Sequence, residues 1–184
     1  LLDQVIAAKG GLARLQSVKT IRAVTRAEAI RAEVTTYLQY PDKVRVETAG
    51  PNGTRIEIFD GVQGWIRDAT GVQPLPDTRV SPRRAAPLPD EAIRNLQLTF
   101  RRDTIAMLLA AHDRRMTARR LPDVKSDAGL YHALELSSTE LDPVVLYVDR
   151  ATALIAKQVY IADRAARTLV EEVFSEYRSI DGVT

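Results

Sequence analysis

The chain has no cysteine, only two histidines and one tryptophan, and aromatic residues make up just 5% of it. Each shortage excludes something. Without thiols there is no disulfide frame, no thiolate metal site and no cysteine in the sequence to carry a lipid anchor. His112 and His132 have no second imidazole or carboxylate at ligand spacing, so no zinc or iron site is expected, and both read as surface or half-buried side chains. No apolar run approaches the roughly 20 residues needed to cross a bilayer. Nucleophile-elbow, phosphate-loop and dinucleotide glycine patterns are also missing. What is present describes an ordinary soluble globular protein: 45% hydrophobic residues, and 26 basic against 24 acidic. At 184 residues a single domain spanning 1–184 is the simplest organisation, burying roughly 70% of its unfolded surface. The sequence opens directly on Leu1-Leu2-Asp3-Gln4, as a mature or trimmed product would.

Periodicity is clearest between Thr36 and Asp68. In Lys43 to Thr48, Val44, Val46 and Thr48 alternate with Lys43, Arg45 and Glu47, as a half-buried strand requires. Ala49-Gly50-Pro51-Asn52-Gly53 reads as a turn. Alternation then resumes, with Thr54, Ile56 and Ile58 opposed to Arg55, Glu57 and Phe59. The two runs therefore predict an antiparallel hairpin with one apolar and one charged face. Asp60-Gly61 turns the chain into a third run around Trp65, and Pro41 sits at the mouth of the first, where no ladder bond is lost.

The pattern Tyr40-Pro41-Asp42-Lys43-Val44-Arg45-Val46-Glu47, a glycine-rich turn, then Ile58-Phe59-Asp60-Gly61-Val62-Gln63-Gly64-Trp65-Ile66 resembles the centre of the LolA/LolB-like lipoprotein-carrier superfamily. Gly10 to Thr20 resembles that family's N-terminal helix running into its first strand. Leu146 to Leu154 resembles its strand-turn-strand near the other end, with Ala153 where a glycine is usual. The resemblance implies an α+β, mainly β fold: a curved antiparallel sheet forming an unclosed half-barrel, with helices covering the concave face. One departure stands out. Carriers of this family have an arginine before the strand-opening proline, associated with latching the cover, and this chain has Tyr40.

Along the rest of the chain, Leu2, Val5, Ile6 and Lys9 fall at helical spacing, Gly10-Gly11 ends that helix, and a second short one follows at 12–16. Strands are expected at about 19–28 and 30–40. Residues 70 to 90 carry Gly71 and five prolines and read as irregular. Asp90-Glu91 then opens helical periodicity through Phe100, with Ile105, Leu108 and Leu109 on one side further on, as one helix or two. Strands follow at 118–121, 130–137, 144–149, 154–161 and 167–177, separated by turn residues. Short antiparallel strands at this spacing indicate one large meander, curled around a filled core or around a cavity.

Carboxylates such as Glu57 with Asp60, or Glu171 with Glu172, are explained by alternation on an exposed strand face without catalysis, so no enzyme and no cofactor is expected. Charge is uneven. From Arg79 to Lys125 there are eleven basic and five acidic residues, net +6, leaving −4 elsewhere. That segment is either a solvated surface or an attraction for an anionic membrane surface, an envelope protein or nucleic acid. Nucleic acid is excluded as the partner, because Phe100 is the only aromatic among those arginines.

The function implied is non-enzymatic carriage of a lipid or acyl chain in an apolar cavity, in the periplasm or cell envelope of a bacterium. The alternative is a regulatory or sensor module of the same shape that binds a protein partner. The expected cavity wall is Leu38, Tyr40, Val44, Val46, Ile56, Ile58 and Trp65, then Leu96, Phe100, Ile105, Leu108 and Leu109 from the cover, and Leu134, Leu136, Val145 and Tyr147 from later strands. An aspartate at Leu108 is expected to weaken fatty-acid binding and leave the chain folded.

Overall fold

The structure is a computed structural model that describes residues 1–27, 31–51, 53–68, 71–75, 90–126, 129–163 and 167–184. The expected irregular stretch at 76–89, with Arg79, Arg83 and Arg84, lies outside the described residues. The chain divides into two compact units, Val18–Arg101 and Leu1–Ser17 with Arg102–Thr184.

The Val18–Arg101 unit is an antiparallel meander of six strands: β1 (Thr20–Ala27), β2 (Ala32–Gln39), β3 (Lys43–Gly50), β4 (Gly53–Phe59), β5 (Gly64–Asp68) and β6 (Gly71–Leu75). One helix, α3 (Asp90–Arg101), packs on β3 and β4. The expected hairpin forms, but tighter than a five-residue turn, because Ala49 and Gly50 pair with Thr54 and Gly53. Asp60 closes the next turn by accepting the N–H groups of Val62 and Gln63 at 2.9 and 2.7 Å. These bonds favour the ionised form and hold its carboxyl below the usual range. β6 corrects the expectation that residues from 70 onward are irregular. Pro74 lies opposite Trp65 on the last strand of the sheet order, the kind of position at which a ladder tolerates proline.

The other unit holds α1 (Leu2–Ala8), α2 (Leu12–Ser17) and α4 (Thr104–His112), with a second open meander of five strands. These are β7 (Thr117–Ser126), β8 (Gly129–Ser137), β9 (Val144–Asp149), β10 (Ile155–Asp163) and β11 (Thr168–Val173). α1 and α2 pack on α4, burying Val5, Ile6 and Leu15 with Ile105, Met107, Leu108 and Ala111. A break at Arg102-Asp103 decides the one-or-two question. The Asp103 side chain accepts the Ala106 N–H at 2.9 Å and caps α4, ending the pattern that opened at Asp90. β7 runs five residues beyond its expected end at Leu121, through a register shift that accommodates Pro122, and Val124 still pairs with Tyr131. β11 ends at Val173 rather than Tyr177.

The chain is thus α+β, mainly β, with unclosed antiparallel sheet, in two ladders where one meander was expected. Ala153 shows what its substitution for glycine costs. Its φ is +57°, the left-handed region in which Cβ crowds the backbone. The turn is held by Asp149, which accepts the N–H groups of Ala151 and Thr152 at 3.0 and 2.8 Å. Relief of about 1–2 kcal/mol of strain, set against the chain entropy of glycine, predicts that Ala153→Gly stabilises by about 0.5–1 kcal/mol. Urea unfolding checks this, and a destabilised variant would refute it.

Candidate functional site

Register decides which side chains meet. In the six-stranded sheet Ile21 pairs with Leu38, Leu38 with Val44, and Val44 with Phe59, so these four stand in one row on one face. Two residues along each strand, Val46 and Ile66 flank Glu57 on the same face. α3 lays Ala92, Ile93, Leu96 and Phe100 on this face. Leu38, Val44, Phe59 and Leu96 are fully buried, while Ile21, Val46, Ile66, Ala92, Ile93 and Phe100 are only partly so. Tyr40 meets α3 too, its ring edge-on to Phe100 with centroids 5.3 Å apart. The position before Pro41 is therefore filled by an aromatic contact to the helix.

Of the expected cavity wall, Leu38, Tyr40, Val44, Val46, Leu96 and Phe100 come together at this seam. Ile56, Ile58 and Trp65 do not. Glu47 pairs with Ile56, Arg45 with Ile58 and Ile58 with Trp65, so all three stand on the opposite face from Val44 and Val46. The single apolar hairpin face expected from the sequence is thereby corrected. Both strands alternate as foreseen, but the tight turn offsets them so that Val44 faces Phe59, not Ile58. The remaining residues belong to the other unit. Ile105, Leu108, Leu134 and Leu136 are buried there, and Leu109 is half-buried. Val145 and Tyr147 pair with Glu135 and Ala133, on the face opposite Leu134 and Leu136, and the Lys157 ammonium sits 4.7 Å from the Tyr147 ring centre. Leu108 is 0% exposed, so an aspartate there is a core lesion and not a probe of binding.

The face turned away from α3 carries a cleft of about 620 Å³, lined by Thr20, Arg22, Tyr37, Gln39, Lys43, Arg45, Glu47, Ile58 and Asp60, with Ile21, Leu38, Val44 and Phe59 contributing to its floor. Arg22 and Arg45 each hold a guanidinium 5.9 Å from the centre of the Tyr37 ring, and Arg45 Nε donates to Glu47 at 2.7 Å. Of the lining residues, Lys43, Arg45 and Glu47 had read only as the polar half of an alternation. The sign that they converge is the register pairing Arg22 with Tyr37 and Tyr37 with Arg45.

Two polar groupings occupy the five-stranded unit. Glu172 accepts from Tyr160 Oη and Gln158 Nε2, each at 2.7 Å, and the Arg102 guanidinium covers the Tyr160 ring at 4.1 Å. Burial first, then the Glu172 carboxylate, pushes the Tyr160 hydroxyl well above its ordinary range. Gln158 is 3% exposed, and its Oε1 and the Nε of Arg102 have no hydrogen-bond partner among the described residues. At the bulged strand, His132 Nδ1 lies 2.9 Å from Asp123, which also takes a bond from Arg120 at 3.2 Å. The imidazole, then the guanidinium, holds that carboxyl low. Sequence spacing hid this pair, since nine positions of chain separate residues that a hairpin brings together. Among the described residues no three potential metal ligands cluster. The basic segment is extensively engaged: Arg115 bonds Asp113, Arg119 forks onto Glu135 at 3.0 Å through both nitrogens, and Arg120 pairs with Asp123.

No family model and no curated protein matches this sequence. Among solved structures it is similar to a DUF1329 family protein from Desulfovibrio piger, with 15% identity and a TM-score of 0.50 over 99% of this chain and 80% of that one. It is also similar to a "putative outer membrane lipoprotein-sorting protein domain" from Vibrio parahaemolyticus, with 13% identity and a TM-score of 0.44 over 89% of this chain and 71% of that one. The first likeness, at this identity, shows a shared fold and no more. The second likeness is too loose to carry any argument.

Proposed function

We propose that the chain binds and carries a lipid or lipidated molecule in a bacterial envelope, by capture and release and without a chemical step. The observation that carries this reading is the seam under α3. A twelve-residue helix is the element laid over a row of apolar side chains in its unit, and six of the ten apolar residues at that seam stay only partly buried. Lifting α3 would exchange helix-to-sheet contacts for acyl-to-sheet contacts, apolar for apolar. Each methylene buried contributes about 0.8 kcal/mol. Tyr40 against Phe100 would then set how firmly the cover closes. The location in the envelope follows from the same reading, and among the described residues no helix is long and apolar enough to cross a membrane.

Ile93 is the residue to alter, because it lies at the seam without being fully buried. Ile93→Asp is expected to weaken binding of a fluorescent fatty acid about tenfold, the equivalent of losing two buried methylenes, while circular dichroism stays that of the native chain. Unchanged affinity would count against the seam. Mass spectrometry of an organic extract from gently purified protein tests the same reading without a variant. A stoichiometric lipid supports it, whereas a clean extract together with no fatty-acid binding would favour a protein-binding module of this fold.

A further inference from the structure

We infer that the cleft on the face of the six-stranded sheet turned away from α3 is a binding site for a phosphate ester, anchored by Arg22. It lies across the sheet from the seam and does not depend on what the seam holds.

Antiparallel register builds the cleft from two neighbouring rows. One row runs Thr20, Gln39, Lys43 and the next Arg22, Tyr37, Arg45, Ile58, each residue paired across the ladder with the one before it. Rows two residues apart on one face lie about 7 Å from each other. The first row supplies a hydroxyl, an amide and an ammonium, and the second two guanidinium groups over one tyrosine ring.

Three of the charged groups that line the cleft neutralise each other or are otherwise held. Arg45 is committed to Glu47, and the Asp60 carboxylate is turned onto the backbone of Val62 and Gln63. Arg22 is different. Among the described residues its guanidinium has no carboxylate partner, and it is held by the face of Tyr37 alone. A cation kept in position by a ring, with its donors unspent, is suited to an incoming anion. Lys43 adds a second charge in the adjacent row.

Chemistry and volume then narrow the ligand. Thr20, Gln39, Lys43 and Arg22 offer more donors than a carboxylate's two oxygens use, and they approach from two rows, which matches the several oxygens of a phosphate. The Tyr37 ring and Ile58 form an apolar wall for the carbon portion of an ester. A space of about 620 Å³ falls in the range of small-molecule sites. The phosphate ester could be free in solution or the head group of a lipid.

Isothermal titration with glycerol 3-phosphate addresses the first source, and co-sedimentation with phosphatidylcholine vesicles carrying phosphatidic acid addresses the second. Removing a charge-assisted bond costs enough to weaken binding roughly tenfold. Arg22→Gln and Lys43→Gln are each expected to do so with an unchanged melting temperature, while Arg115→Gln, at an exposed ion pair of the other unit, leaves affinity at wild type. Saturable binding of glycerol 3-phosphate lost in Arg22→Gln supports the site with a free ester. Binding to the vesicles alone, again lost in Arg22→Gln, supports it with a head group. Binding that Arg22→Gln leaves intact, or no binding in either arm, overturns the proposal.

Discussion

Leu108→Asp is expected to cost the chain its stable fold. Leu108 is 0% exposed on α4, among the side chains that α1 and α2 pack against. The substitution removes a buried leucine, worth about 2–5 kcal/mol, and leaves a carboxylate with no partner in an apolar surrounding, which adds a penalty of its own. Domains hold only about 5–15 kcal/mol in all. For a chain of this length the melting temperature should fall by roughly 10 °C or more, or the cooperative transition should vanish. A melt within a couple of degrees of wild type would mean that α4 is not the core element described above.

Phe59→Ala is expected to destabilise by about 3–5 kcal/mol, because it opens a cavity between Leu38, Val44 and Leu96 that neither sheet nor helix can close without breaking register. Phe59→Leu retains most of the volume and should cost less than about 1.5 kcal/mol. The contrast between the two separates packing from the mere presence of an aromatic. Urea unfolding with an unchanged slope measures it, and equal costs for the two variants would argue that the α3 seam is loosely filled.

What the sequence made legible follows from which interactions are local. Alternation, turn glycines and the helix stop at Gly10-Gly11 placed ten of the eleven strands seen among the described residues and the N-terminal helices, because each is decided within a few residues. β6 was hidden by Pro74, which breaks an interior strand but is harmless on an outer one, and position within a sheet is not a local property. Asp103 was legible as an acid but not as the cap that separates two helices. The site was half legible for a similar reason. The alternation in β3 and β4 was correct strand by strand, yet which face Ile58 shares with Arg45 depends on one turn, and a single residue of offset reverses it. Arg22, Tyr37 and Arg45 lie far apart in sequence and carry no motif, so only their ladder partners reveal that they converge.

Among the described residues four strands end a sheet without a ladder partner on their outer side: β1 and β6 in one, β7 and β11 in the other. They are not equally guarded against pairing with a strand from another molecule. β6 carries Pro74 and β7 carries Pro122 at its register shift, and proline on an edge strand hinders such pairing. β1 sets Arg22 and Arg26 along its length. β11 has neither proline nor bulge of its own, its Glu171 and Glu172 are engaged by Lys157 and by Gln158 and Tyr160 of β10, and Leu169 and Val173 stand 64% and 69% exposed on it. Self-association at high concentration should therefore begin at β11, and a lysine in place of Leu169 is the change that would keep the protein dispersed without touching the α3 seam or the Arg22 cleft.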